Sequence, residues 1–167
     1  MHSDLPLDSD IEVGDDPALR GDPIQLTLRF LAAVWVGGTV GTGTRYLISH
    51  AVPHAYRVPM ATLAINIFGA FALGVLLGTL AHRGEDLGHR RILRLLLGTG
   101  FLGGFTTYSA LAVDTASLFG EGLAGHAVAY ALLTLVVGGV ASVAGIAISG
   151  ALHQRASVTT PTEEGAT

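Results

Sequence analysis

Long apolar stretches alternate with short polar segments along the chain. A helix of roughly 20 apolar residues, each rising about 1.5 Å, crosses a hydrocarbon core of about 30 Å. Four stretches of at least this length contain few charged side chains, at residues 26–49, 58–81, 92–119 and 123–152. The pattern predicts an all-α integral membrane protein in which four transmembrane helices are joined by short loops.

The two ends of the chain differ in composition from the middle. Residues 1–23 hold seven acidic residues and one arginine, and residues 156–167 are rich in Ser, Thr, Pro and Glu. Polar segments of this kind bury too little apolar surface to fold. We therefore expect a disordered acidic tail at 1–23, a four-helix transmembrane domain at 24–155 and a second disordered tail at 156–167.

The overall composition excludes most soluble classes. Only 13% of the 167 residues are charged, whereas about 25% is usual for a soluble domain. The absence of cysteine excludes thiolate metal sites and cysteine nucleophiles. Residues 98–103 match G-x-G-x-x-G, but they lie in an apolar stretch without a βαβ unit, so dinucleotide binding is not expected. Neither an enzyme nor a nucleic-acid-binding protein is predicted.

The distribution of arginines predicts the orientation. With four spans, both termini and the middle loop lie on one side of the membrane. That side holds Arg20, Arg29, Arg83, Arg90, Arg91, Arg94 and Arg155, whereas the other holds Arg57 and, near a span end, Arg45. Because arginine in short flanking loops stays cytoplasmic, we expect a multi-pass plasma-membrane protein with both termini in the cytoplasm.

Small residues four positions apart occur in all four predicted spans. The pairs are Gly37/Gly41, Gly74/Gly78, Gly100/Gly104, Gly138/Ser142 and Ala141/Gly145. Two small residues on one helix face let neighbouring backbones approach closely. The spacing predicts tight helix packing and by itself identifies no function.

Polar residues inside the predicted spans indicate where function resides, because an unpaired polar group is costly in hydrocarbon. Asn66 lies in the middle of the second span, and Asp114 lies in the third. Residues 103–109 (GGFTTYS) combine adjacent glycines with hydroxyl side chains, which predicts a third helix that is broken in mid-membrane. Freed carbonyls can bind a hard cation, and amide or hydroxyl donors can replace water around an anion.

Three motifs resemble those of the Fluc (CrcB) family of fluoride channels. Residues 37–46 (GGTVGTGTRY) are similar to the first-helix pattern G-G-x-x-G-x-x-x-R-[YF]. Residues 62–74 (TLAINIFGAFALG) are similar to the second-helix pattern T-L-x-x-N-x-x-G-x-F-x-x-G. Residues 100–109 (GFLGGFTTYS) are similar to the third-helix pattern G-F-x-G-G-x-T-T-F-S. The resemblance covers about residues 26–152.

The resemblance implies an antiparallel dimer with two fluoride pathways and a structural sodium ion at the subunit interface. Backbone carbonyls of Gly103 and Thr106 are the implied sodium ligands. The implied fluoride pathway contains Asn66, Thr107, Tyr108, Ser109 and Leu111. Arg45 is implied near a pathway entrance, where its charge attracts anions, and Asp114 occupies the position of a third-helix glutamate.

The chain departs from the family pattern around the third-helix signature. The family pattern continues T-T-F-S-T-F, and its two phenylalanines present electropositive ring edges to fluoride. Here Tyr108 replaces the first phenylalanine, Ala110 replaces a hydroxyl residue, and Leu111 replaces the second phenylalanine. One ring of the implied pathway is therefore missing from this subunit.

An antiparallel homodimer requires one sequence to insert in both orientations, which calls for balanced loop charges. The arginine bias and the missing ring instead favour a heterodimer with an oppositely oriented homologue that carries both phenylalanines. The expected function is passive, fluoride-selective export from the cytoplasm.

Three alternatives remain beside this function. The first is a non-conducting partner that orients and stabilises a sister subunit, which the missing ring favours. The second is a proton-coupled exchanger that uses Asp114, the one acid deep in a predicted span. The third is an unrelated exporter of cationic drugs, for which an acid in the first span is expected, but residues 26–49 contain none.

Overall fold

The computed structural model describes residues 23–52, 58–81 and 88–158. They form α1 (Pro23–Ala51), α2 (Met60–Ala81), α3 (His89–Leu93), a π-helical segment (Arg94–Leu102), α4 (Gly103–Phe105), α5 (Tyr108–Gly120) and α6 (Ala124–Val158). Within these ranges there is no strand, so the predicted all-α class is confirmed.

The predictions for the two tails lie almost wholly outside the described residues. At the C-terminal end, α6 continues to Val158 and so includes the first three residues of the predicted tail. Three arginines used to predict the orientation, Arg20, Arg57 and Arg83, also lie outside the described ranges.

Among the residues that the structure describes, three helical stretches are long and apolar enough to cross a membrane. They are Met60–Ala81, His89–Gly120 and Ala124–Arg155. With 29 residues α1 is long enough, but it is less apolar than these three because glycines, threonines and two arginines interrupt its apolar residues. Three of the four predicted spans therefore meet the requirements of a membrane helix, and the first stays a prediction.

The third apolar stretch begins as a wide helix. After α3, nine residues adopt the π-helical form, and the N–H of Gly103 at its end donates to both Gly100 O and Gly98 O. Side-chain periodicity did not predict this segment. Glycine tolerates the crowding and the altered backbone angles of such a helix better than other residues do.

An interruption follows at the two adjacent threonines. Thr106 (φ −76°, ψ 159°) and Thr107 (φ −153°, ψ 119°) have extended backbones between α4 and α5. These residues belong to the Gly-Gly and hydroxyl stretch in which the sequence predicts a break. The depth of the interruption in a bilayer stays a prediction.

Glycines bring α1 into contact with the π-helical segment and α4. Gly37 and Gly41 lie against the backbone of Phe101, and a Cβ atom at either position would overlap it. Gly100 and Gly104 lie in turn against the backbone of the same part of α1. The two glycine pairs therefore face each other, in agreement with the predicted close packing.

The helices α2 and α6 pack together along their length. A Cβ atom at Gly74 would overlap the backbone of Ser142, and one at Gly145 would overlap the backbone of Phe71. Because α5 also packs on α6, two elements, α2 and α5, lie against α6. This arrangement positions the cavity described below.

A second contact holds α3 against α1. The guanidinium of Arg91 lies over the Phe30 ring, 4.8 Å from its centre. Such a cation–π contact contributes roughly 0.5–1 kcal/mol at an exposed site.

The buried core is small compared with the apolar surface. One buried cluster contains Leu63, Leu111, Leu118, Ala127 and Tyr130, and another contains Ile65, Leu102 and Phe105. Large apolar side chains such as Trp35 and Val136 are mostly exposed. An apolar surface of this extent is expected to face lipid or another helix, which agrees with the predicted membrane setting.

Candidate functional site

A cavity of about 440 Å³ lies between α2, the interrupted third stretch and α6. Six predicted site residues line it: Asn66, Gly103, Thr106, Thr107, Tyr108 and Leu111. The other three, Arg45, Ser109 and Asp114, lie outside its walls. The fold therefore brings the amide of the second span to the hydroxyl cluster of the third.

Asn66 pairs with the backbone at the helix interruption. Its Nδ2 donates to the carbonyl oxygen of Thr107 at 2.9 Å, and the N–H of Thr107 donates to Asn66 Oδ1 at 2.8 Å. The side chain from α2 therefore satisfies two backbone groups that a continuous helix would have paired internally. A side-chain amide has two N–H donors, and this pairing uses one, so the second can donate to an anion.

Two hydroxyl groups adjoin the start of α5. Thr107 caps this helix, since its Oγ1 accepts from the N–H of Ala110 at 3.1 Å. The hydroxyl oxygens of Thr107 and Ser109 are 3.1 Å apart. When Thr107 donates to Ser109, the hydroxyl hydrogen of the exposed Ser109 is left to donate outward.

The interruption frees several backbone carbonyls, which differ in their hydrogen-bond partners. The Gly104 oxygen accepts from Arg45 Nε at 3.2 Å and from Thr42 Oγ1 at 3.3 Å. Apart from the internal hydrogen bonds of the helices, no backbone hydrogen bond in the described ranges reaches the carbonyl oxygens of Gly103 and Thr106. These two are the carbonyls for which the sequence resemblance implies a cation.

The two positions of the implied aromatic pair have opposite environments. Tyr108 is 78% exposed, whereas Leu111 is 5% exposed and packs in the core with Leu63 and Tyr130. Leu111 therefore forms part of the cavity wall and of the core at once. On its core side, a larger ring at this position would crowd the side chains that pack against Leu111.

Asp114 and several polar residues of α6 form a second group beside the cavity. The hydroxyl of Tyr130 donates to Asp114 Oδ2 at 3.2 Å, and Thr134 and Ser142 line the cavity. Spacings of four and eight residues place these α6 residues on one helix face. Sequence reasoning missed Tyr130 and Thr134, although hydroxyl residues at four-residue spacing in an apolar span were a usable signal.

The arrangement suits the binding of small ions. Amide and hydroxyl donors face a mainly apolar cavity, where they can replace the water around an anion. In the part of the chain that the structure describes, no three His, Cys, Asp or Glu side chains converge to hold a metal ion. Backbone carbonyls, which can bind a hard cation, are among the oxygen atoms at this site.

A family model described as CrcB-like protein, Camphor Resistance (CrcB), matches residues 32–146. The chain belongs to the CrcB family. The matched range contains all nine predicted site residues and most of α1, α2 and α6. The resemblance drawn from the three sequence motifs is therefore confirmed.

Several relatives carry channel names. The chain is 47% identical over 136 residues to the fluoride-specific ion channel FluC 2 of Leifsonia xyli subsp. xyli. The aligned region covers 81% of this chain and 94% of that protein. It is 49% identical over 106 residues to the fluoride-specific ion channel FluC 1 of Cutibacterium acnes, an alignment that covers 63% of this chain and 74% of that protein. It is 41% identical over 123 residues to the fluoride-specific ion channel FluC of Agrobacterium fabrum, an alignment that covers 71% of this chain and 94% of that protein. These names support the prediction that the chain is not an enzyme.

Proposed function

We propose that the chain is a subunit of a fluoride-selective ion channel through which fluoride leaves the cytoplasm passively across the plasma membrane. The observation that carries the proposal is the 47% identity to a fluoride-specific ion channel over 81% of the chain. The cavity at the helix interruption supports it, because hydrogen-bond donors meet apolar walls there.

The proposed pathway uses groups that can replace water around fluoride. Asn66 supplies its second amide N–H, and Ser109 supplies a hydroxyl. Tyr108 presents a ring edge that carries partial positive charge. Thr107 orients the Asn66 amide and the Ser109 hydroxyl, while Leu111 contributes an apolar wall.

The direction of transport follows from the chemistry of the ion. HF is a weak acid that crosses membranes uncharged and dissociates in a more alkaline cytoplasm, which traps the anion there. The inside-negative membrane potential favours exit of an anion by about 2.3 kcal/mol per charge per 100 mV. A selective pore therefore lowers cytoplasmic fluoride without an energy source.

A structural sodium ion belongs to the proposal, with the carbonyl oxygens of Gly103 and Thr106 as its ligands. Hard cations prefer oxygen ligands, and rings of backbone carbonyls suit monovalent ions. In the described ranges, no backbone hydrogen bond from outside the helices reaches either oxygen, which supports this fit. Gly103 is exposed, so a second subunit can complete the coordination. When bound, the ion holds the two subunits together and is not transported.

The proposed assembly is an antiparallel dimer, with an oppositely oriented homologue as the second subunit. The exposed apolar side chains of α6 offer a surface for a partner helix or for lipid. The arginine bias favours one fixed orientation with both termini in the cytoplasm, so the oppositely oriented subunit is a different chain.

A second candidate is a non-conducting subunit that orients and stabilises a sister channel subunit. The burial of Leu111 in the core favours it, because this position offers fluoride no ring. The retained Asn66 and Ser109 weigh against it, since a purely structural subunit has no need of these donors.

Fluoride efflux from liposomes tests the proposal. The purified full-length chain is reconstituted alone and together with a homologue from the same genome, and efflux is followed with a fluoride electrode, with chloride as the control ion. Fluoride-selective efflux that requires the homologue supports the obligate subunit. Efflux from the chain alone supports the channel and contradicts the heterodimer. No efflux in either case favours the non-conducting subunit.

A further inference from the structure

Among the carbonyls at the interruption, the Gly104 carbonyl accepts hydrogen bonds from side chains of α1. Arg45 Nε and Thr42 Oγ1 both donate to its oxygen, at 3.2 Å and 3.3 Å. Apart from bonds inside the helices, the oxygens of Gly103 and Thr106 receive no backbone hydrogen bond within the described residues. The Gly104 carbonyl is therefore held by two donors from α1, whereas the carbonyls of Gly103 and Thr106 have no such donor.

Thr42 behaves differently from the two nearest threonines of α1. Thr39 and Thr44 each donate to the carbonyl four residues earlier in their own helix, at 2.8 Å, which is the ordinary arrangement for threonine in a helix. Thr42 donates across to another element instead. It shares one face of α1 with Arg45, which follows three residues later.

The backbone that carries the acceptor carbonyl is flexible, and the two donors can hold it in one conformation. Gly103 and Gly104 lack side chains, so their backbone has more conformational freedom than that of any other residue pair. An ion site built on such a backbone needs rigidity from outside. The half-buried Arg45 supplies a charge-assisted hydrogen bond, which is stronger than a neutral one.

We infer that Arg45 and Thr42 are positioning residues which hold the Gly104 carbonyl and thereby orient the carbonyls of Gly103 and Thr106 toward a bound cation. The inference rests on the proposed function, because the cation is the sodium ion of that channel. Arg45 then acts through the direction of its Nε–H, and not through the attraction of anions to a pathway entrance.

The Gly104 carbonyl can be observed directly by nuclear magnetic resonance. Gly-Phe occurs in the sequence only at 100–101 and 104–105. Labelling the full-length chain in nanodiscs with carbonyl-13C glycine and 15N phenylalanine therefore yields one signal for each of the two glycine carbonyls. A carbonyl carbon moves upfield when it loses a hydrogen bond, and the Gly100 signal serves as an internal reference.

Removal of either donor is expected to move the Gly104 signal upfield. We expect this shift in Thr42→Val and in Arg45→Gln, with the Gly100 signal unchanged. Thr44→Val is the matched control, since it removes a hydrogen bond of the same kind within α1, and we expect it to move neither signal. Thr42→Val conserves side-chain volume, so it keeps the test decisive should Arg45→Gln fail to fold.

Fluoride efflux as a function of sodium concentration tests the consequence for the ion. Each of the two variants is expected to raise the sodium concentration for half-maximal efflux roughly tenfold, as the loss of one hydrogen bond implies. The double variant is expected to show less than the product of the two effects, because both donors share one acceptor. Thr44→Val is expected to match the wild type.

Arg45→Lys separates position from charge, because lysine keeps the charge but lacks the planar donor fork. We expect it to resemble Arg45→Gln in both measurements. Wild-type sodium dependence in Arg45→Lys overturns the inference, and so does an unmoved Gly104 signal in both Thr42→Val and Arg45→Gln. If the wild type conducts no fluoride, the proposed function fails, while the carbonyl shifts still decide whether these residues hold Gly104.

Discussion

At the scale of single residues, the polar groups around the cavity satisfy one another through the backbone. Asn66 pairs with both backbone groups of Thr107, and the Thr107 hydroxyl caps α5. The Asn66 amide therefore shapes the interruption and still has a second N–H that can donate. When Thr107 donates to Ser109, the Ser109 hydroxyl hydrogen is also left to donate. Substitutions here affect the shape of the interruption as well as the chemistry of the pathway.

Asn66→Ala removes both hydrogen bonds to Thr107 and the second amide N–H that can donate to an anion. We expect fluoride efflux to fall by about an order of magnitude, and the free energy of unfolding to fall by about 1–2 kcal/mol because a half-buried N–H and C=O lose their partners. The dimer is expected to persist. Liposome efflux, thermal unfolding and cross-linking in detergent measure the three effects. Gln154→Ala, an exposed amide on α6, is the control, and equal efflux in both variants would remove Asn66 from the pathway.

Leu111→Phe restores the ring of the family pattern at a position where the core is full. Leu111 is 5% exposed, so the larger side chain is expected to cost about 1–3 kcal/mol of stability through overpacking. Thermal unfolding measures this cost, and fluoride efflux is expected to fall with it. The control is Val113→Phe on the exposed side of the same helix, which should stay near wild type. A stable Leu111→Phe with faster efflux would contradict the repacked core and indicate a restored ring contact.

At the scale of elements, glycine decides which helix lies against which. The pairing of α1 with the π-helical segment places backbone against backbone at Gly41 and Phe101. No flexible side chain lies at this contact to move aside. The interface is therefore expected to tolerate small changes poorly, whereas glycines on the outer side of α1 are expected to tolerate them well.

Gly41→Ala and Gly43→Ala test this expectation two residues apart on one helix. A Cβ atom at Gly41 would overlap the backbone of Phe101, whereas at Gly43 nothing lies within 4 Å. We expect Gly41→Ala to lower the free energy of unfolding by about 1–3 kcal/mol. Gly43→Ala is expected to be neutral or to gain up to about 1 kcal/mol from helix propensity. Denaturation of both variants in detergent gives the comparison, and equal stability would rule out the close contact.

At the scale of the whole molecule, charge and apolar surface determine how the chain sits in a membrane. The described arginines near the start of α1, in α3 and at the end of α6 lie at helix ends that four spans would bring to one side. Because cytoplasmic loops retain arginine, a single orientation is expected. A sequence that inserts in a single orientation does not readily form an antiparallel homodimer. The expected orientation therefore favours a second, different subunit.

Cysteine accessibility measures the orientation cleanly, since the natural chain has no cysteine. Single cysteines placed at either terminus are expected to react in intact cells only with a membrane-permeant thiol reagent. The double variant Arg90→Gln with Arg91→Gln weakens the charge bias and is expected to yield a mixed population. External labelling of the wild-type termini would overturn the orientation, and with it the charge argument for a heterodimer.

The sequence by itself determined the helical class, the membrane setting, the family and the residues at which to seek a site. These are local properties, because the length of an apolar run, a four-residue spacing or a motif can be read without knowing which helices are neighbours. For the same reason Gly-Gly followed by hydroxyl residues pointed to an interruption near Thr106 and Thr107. The four-residue spacing of Tyr130 and Thr134 was a local signal of the same kind, although it did not enter the prediction.

Only the tertiary structure decided which groups meet. Helical periodicity defines a face but not the partner that covers it, so it could not show that Asn66 holds Thr107, that Arg45 reaches Gly104, or that Leu111 lies in the core. The π-helical segment was equally hidden, because side-chain periodicity does not distinguish it from an α-helix. The contacts that shape the proposed ion site are long-range, and long-range contacts are set by packing.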